Sequence, residues 1–155
     1  MSVSTNYHNR LIDVSIFQGI RETGKVTVDQ SLFNNGGAVC TGIQKLIQRW
    51  LVLFLTPVGT VKFHPERGTS FLEEAAGFRT EIDAQIAFYT CNANACSQLR
   101  DEEDTEMLDE ERIDRVELDN ITIGATGFNL SVRLYSLNGE SAPLILPITI
   151  NPLQL

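Results

Sequence analysis

The apolar residues of this chain change period part-way along it, and that change limits the folds open to it. From Thr41 they fall at Ile43, Leu46, Ile47, Trp50, Leu51 and Phe54, and from Ser70 at Phe71, Ala75, Phe78, Ile82, Ile86 and Tyr89. Residues three and four apart share one face of a helix, so these are two amphipathic helices. Later the period is two: Val116 and Leu118, then Phe128, Leu130, Val132 and Leu134, then Leu144, Leu146, Ile148 and Ile150. That spacing belongs to strands buried on one face. At 155 residues the chain has surface enough for one core. We therefore expect an α+β fold. Two main helices and a C-terminal antiparallel sheet occupy 41–155, and a β-like N-terminal arm or hairpin occupies 1–40.

Local signals refine this outline. Pro57 and Gly59 stop the first helix. Ser70 and Glu73 match S-x-x-E, in which the two side chains satisfy free amides at a helix start, so the second helix should begin there. Gly77 weakens or bends it, and the polar run from Gln98 ends it. "NG" at 138–139 predicts a type I′ hairpin between the last two strands. Pro143 and Pro147 lack an N–H and confine the final strand to a sheet edge. In the arm, "LIDVSIF" and "KVTV" look extended, with turns at Gly19, Gly24 and "NNGG" (34–37).

Charge narrows the classes of partner. The net charge is -8, yet segment 101–119 alone holds eleven acids and two arginines, leaving nine acids and ten bases elsewhere. Nucleic-acid binding needs a basic stripe that displaces counterions, and none is visible, so no nucleic-acid partner is expected. "LIQRWLVLFL" (46–55) is about half the length of a bilayer span and carries Gln48 and Arg49; it is a core helix, and no membrane contact is expected. The start, "MSVSTNYHNR", has no apolar signal region, and the cysteines are odd in number: Cys40, Cys91 and Cys96. We expect free thiols in a reducing compartment. On one helix Cys91 and Cys96 stand about 140° apart, too far for common ligands or a disulfide.

The catalytic motifs are weak. "GIRETGKV" (19–26) approaches the phosphate-binding loop G-x-x-x-x-G-K-[ST], but Val26 replaces the hydroxyl that holds Mg²⁺ and "VTVDQ" follows where a helix should start. A hairpin turn with an exposed Lys25 is the better reading. His8 and His64 have no sequence partner for catalysis or metal binding. Glu73, Glu81 and Asp83 could supply the paired carboxylates of a glycosidase, but at helical spacing they form a solvated face. No catalytic, cofactor-binding or metal residue is assigned. The loop "TPVGTVKFHPERGTSF" has glycines at 59 and 68 that tolerate positive φ and a rigidifying Pro65, the pattern of a shaped connection between helices.

Taken in order, "TGIQKLIQRWLVLFLTPVGTVKFHPERGTSF", an amphipathic helix, "EERI" and a terminal β-region resemble the baseplate wedge, or sheath-initiator, family of phage contractile tails, once called lysozyme-like. The resemblance covers approximately residues 41–150. The family signature Glu-Pro-Arg stands just before its first C-terminal strand, and here Glu110, Glu111 and Arg112 occupy that place without the proline. The resemblance implies a structural protein and not an enzyme. It would be made in the host cytoplasm and carried in the virion's tail baseplate. Glu110, Glu111 and Arg112 would dock on the wedge core-bundle proteins. The strand holding Leu144, Leu146, Ile148 and Ile150 would meet the tail sheath protein, with tail hub or tube-proximal proteins as further neighbours.

Physics supports that transfer in part. A guanidinium fork and a carboxylate orient a partner, and an edge strand can accept a strand from another chain. "DEEDTEMLD" reads as a solvated, flexible lead and "EERI" as the point where strand begins. The alternatives are an exposed acidic linker with Arg112 paired locally, a generic acidic adaptor, and a peptidoglycan-cleaving, lysozyme-like tail enzyme.

Overall fold

A computed structural model describes residues 13–14, 17–19, 26–28 and 39–149. The elements are β1 (Asp13–Val14), β2 (Phe17–Gly19), β3 (Val26–Val28), β4 (Val39–Cys40), α1 (Ile43–Leu55), α2 (Phe71–Ala75), α3 (Glu81–Glu102), a 3₁₀ turn (Asp109–Glu111), β5 (Ile113–Gly124), β6 (Gly127–Ser136) and β7 (Ser141–Thr149). This is the expected α+β order, helices followed by a three-stranded antiparallel sheet in the order β5-β6-β7. In the arm β1 pairs with β4 and β2 with β3, both antiparallel. Gly19 faces Val26 across the second pair, so the two ends of the phosphate-loop-like stretch are antiparallel strand partners. Lys25, Gly24, "NNGG", His8 and Ile150 lie outside the described residues.

The core forms where one face of the sheet meets the helices. Trp50 stacks on Phe54 at 4.6 Å between ring centroids, and Phe54 packs on Phe71 at 4.5 Å. Phe71 then meets Phe128 of β6 edge-on. Alternate residues Phe128, Leu130, Val132 and Leu134 of β6, with Leu144 and Leu146 of β7, are buried against this cluster. One polar bridge crosses the core: the Trp50 indole N–H donates to Asn92 Oδ1 at 3.0 Å, and Asn92 Nδ2 donates to the Val116 carbonyl at 3.1 Å. A buried amide with partners on α1 and β5 fixes the position of α3 between them.

The second helix differs from expectation in four ways. It is two helices, because the chain breaks after Ala75 at Gly77 and restarts at Thr80. The cap moves too: Ser70 makes no capping bond to a backbone amide and its hydroxyl donates to Glu74 instead, whereas Thr80 and Asp83 form the reciprocal capping box. The buried face of α3 is Ala84, Ala87, Phe88, Cys91, Asn92, Ala95, Cys96 and Leu99, while Ile82, Ile86 and Tyr89 face outward. Restarting the helix at Thr80 resets its phase, so a face extrapolated from Phe71 no longer points inward. The helix also runs past Gln98 to Glu102.

At the last hairpin, Ser136 N–H donates to Glu140 O, so three residues lie in the loop, one more than a type I′ turn holds. Gly139 takes φ 86°, and Asn138 Oδ1 accepts from Ser136 Oγ and from Glu140 N–H. β7 is an edge strand, as its prolines require. Pro143 and Pro147 stand opposite Arg133 and Asn129. Positions without an N–H fit where that group would point away from β6, so two donors are missing from the outward edge.

Candidate functional site

The segment before β5 holds the sequence-assigned trio, and its three residues have different environments. Glu111 is 2% exposed. Its Oε1 accepts the Gly42 N–H at 3.2 Å, and its Oε2 lies 3.3 Å from Lys45 Nζ. Arg49 Nη1 donates to the Glu111 carbonyl at 3.2 Å. The residue standing where the resembled pattern has proline is therefore an internal tie between the 3₁₀ turn and the first turns of α1. Its own N–H donates to Leu108 O at 2.8 Å, a bond proline could not make.

Arg112 follows at the rim, with 30% of its side chain exposed. Its Nη1 lies 3.4 Å from Asp109 Oδ1, and its Nε lies 3.8 Å from Glu103 Oε2. Nε is buried and has no hydrogen-bond acceptor among the described residues. Glu110 is half-buried and packs over Gly42, where an added Cβ would lie 3.5 Å from its carboxyl carbon.

A fourth residue, unassigned from the sequence, organises this corner. Glu103, at the C-cap of α3, keeps only 4% of its side chain exposed and accepts the Ile113 N–H at 2.7 Å, fastening the start of β5. Arg49 and Arg112 approach it from two sides, at 4.0 and 3.8 Å. The acidic lead is thus not uniformly solvated: Asp101 and Glu102 belong to α3, and Glu103 is buried beneath two arginines. Glu103 is one of four acids in "DEED", and position alone does not mark it. Lys45 and Arg49 carried a signal, since cations one turn apart on a core helix need anionic partners.

The sheet residues assigned to a sheath contact divide similarly. Leu144 and Leu146 point into the core and Ile148 is half-buried against it. A strand added to β7 would therefore meet backbone and the outward Pro143, Ile145 and Pro147, not these side chains. β5 offers less free edge near its start, because Arg100 donates to the Asp114 carbonyl and Asn92 to that of Val116.

The helix-to-helix loop is pinned at its base. Pro57 and Thr69 form a parallel bridge, Thr69 Oγ1 donates to Phe54 O, and Gln98 both accepts from Gly68 N–H at 3.0 Å and donates to Gly68 O at 2.9 Å. Between this loop and α3 lies an open depression of about 400 Å³ lined by His64, Glu66, Arg67, Gln98, Asp101 and Glu102. Arg67 pairs with Glu102 there at 2.7 Å.

The acids weighed for hydrolysis, Glu73, Glu81 and Asp83, are all exposed. Hydrogen bonding by the Thr80 side chain, then by its backbone N–H, holds Asp83 below the usual carboxylate range. A general acid needs the opposite shift. Burial pushes the Cys91 and Cys96 thiols up, away from the thiolate form that a nucleophile needs. Among the described residues no metal-binding cluster of His, Cys, Asp and Glu occurs, and no helix is long and apolar enough to cross a membrane.

Comparison of the chain with protein-family models, with curated proteins and with solved structures gave no match.

Proposed function

We propose that this chain is a structural component of a contractile phage tail baseplate. It docks on the wedge core bundle through Glu110 and Arg112 and starts sheath assembly through its C-terminal strands. The observation that carries the reading is the corner itself. Arg112 is part-exposed where helix gives way to sheet, on a backbone held from beneath by the buried Glu111 and Glu103. A guanidinium on a fixed backbone supplies orientation at low entropic cost. The loss of the pattern's proline is offset by the ties of Glu111, which restrict the same turn by other means.

For the sheet, strand addition is the mode that an edge permits. Pro143 and Pro147 thin the donors on β7, so an added strand would bond at Ile145 and Thr149.

The test is assembly. Glu110→Ala combined with Arg112→Ala should fold normally yet reduce incorporation when mixed with purified wedge and sheath proteins. Full incorporation of that folded variant would remove the corner from the account. Turnover of purified cell walls, abolished by replacing one carboxylate, would replace the structural reading with the enzymatic one.

A further inference from the structure

We propose that the outward face of α3 is a docking seam for a single amphipathic helix of a partner protein, one whose apolar stripe is bordered by lysine or arginine. Ile82, Ile86 and Tyr89 are 65%, 63% and 57% exposed. They are spaced four and then three residues apart, and the exposed Ala93 follows after four more. That alternation is the a/d spacing of a coiled-coil seam, which stays in line along a helix and accepts the knobs of a second helix. Exposed apolar residues are ordinary where they are scattered; here three large ones stand in one line and an alanine continues it. The other exposed positions in this part of α3, Glu81, Asp83, Gln85, Thr90 and Asn94, are all polar. The seam is also rigid, since the capping box fixes its first turn and the core holds its opposite face.

Charge and area select the occupant. Glu81 and Asp83 border the seam at its N-terminal end, and Arg79, just before the helix, is the one base beside them. Basic flanks on a partner complement this border. A second copy would set the same acidic border, Glu81 and Asp83, against itself. Three part-exposed large side chains and an alanine offer only a few hundred Å², well below the roughly 800 Å² each side of a stable interface. An area of that size does not hold a stable dimer; it suits weak, reversible docking of one helix, which a titration can read. The inference concerns a surface separate from the Glu110 to Arg112 corner and does not rest on the tail reading.

The experiment titrates isotope-labelled full-length protein with a three-heptad model peptide having leucine at a and d and lysine at e and g, and with its glutamate counterpart. Amide shifts should cluster at Ile82, Ile86, Tyr89 and Ala93. Affinity should fall at least about tenfold for the glutamate peptide, and similarly for Ile82→Lys with Ile86→Lys. Because both isoleucines are exposed, circular dichroism should show the variant folded; if it does not, Ile86→Gln carries the same test. Equal affinity for the two peptides, shifts elsewhere, or no shifts would overturn the proposal. So would self-association of the chain through these residues, which would make a second copy the occupant.

Discussion

The Glu111 carboxylate lies 3.3 Å from the Lys45 ammonium, with 2% and 7% of the two side chains exposed. Breaking a buried pair by removing one partner leaves a charge in a place built for two, and that cost exceeds what the pair itself contributes. Glu111→Ala should therefore lower stability by about 3 kcal/mol or more. Glu110→Ala should stay within about 1 kcal/mol. Urea unfolding of the two variants side by side measures this, and equal losses would contradict the assignment of Glu111 as the structural residue. Glu111→Pro should be at least as damaging as Glu111→Ala, because it also removes the N–H bond to Leu108.

The two candidate helix caps give a second test. Thr80→Ala removes an acceptor for the Asp83 N–H and should cost about 1 kcal/mol. Ser70→Ala removes no capping bond and should stay within about 0.5 kcal/mol. Asp83 adds a pH dependence. Its pKa in the folded chain lies below the ordinary value of 3.8, so its contribution is present above that value and is lost as pH falls through the depressed one. Acid unfolding of Asp83→Asn should lack that component.

Gly68 has φ 111°, and a Cβ built there would overlap the Thr56 carbonyl oxygen. Gly68→Ala must displace backbone and should cost at least about 2 kcal/mol. Gly59, at φ 87° with nothing within 4 Å, bears only the conformational penalty, and Gly59→Ala should cost about 1 kcal/mol. Thermal unfolding of the two variants separates steric from torsional strain.

Cys96 is pushed up to about 11 by burial, from an ordinary value of 9.0. Below pH 9 both folded and unfolded chains keep the proton. Between about 9 and 11 the unfolded chain loses it first, so stability should fall with rising pH across that window. Cys96→Ala should flatten this part of the profile, and alkylation of Cys96 at neutral pH should require unfolding.

Much of the fold is legible in the sequence because its elements carry clean periods. The seam of α1 from Leu46 to Phe54, the alternation in β6 and the prolines of β7 each have one physical reading. The second helix misleads where two signals compete. Ser70 and Glu73 match a cap by spacing, but Gly77 ends that helix within two turns, and Thr80 supplies the working cap with aspartate in place of glutamate. Continuing the first phase past that break puts Ile82, Ile86 and Tyr89 on the wrong side.

At the site, the position of Glu110 to Arg112 before the sheet is readable from the switch to period two. The inward turn of Glu111 is not. It depends on Gly42 and Lys45, which lie 69 and 66 positions away and carry no local mark of their partner.

That separation bears on the order of folding. The sheet consists of two hairpins whose contacts are local, whereas the Glu111 tie closes a long stretch of the chain upon itself. Loop closure over such a length is favourable only after the intervening helices have shortened the distance. The clasp is thus expected to form late, and interactions absent from the transition state act on the rate of escape from the native state. In kinetic terms Glu111 is a latch: its loss should hasten opening far more than it slows closing.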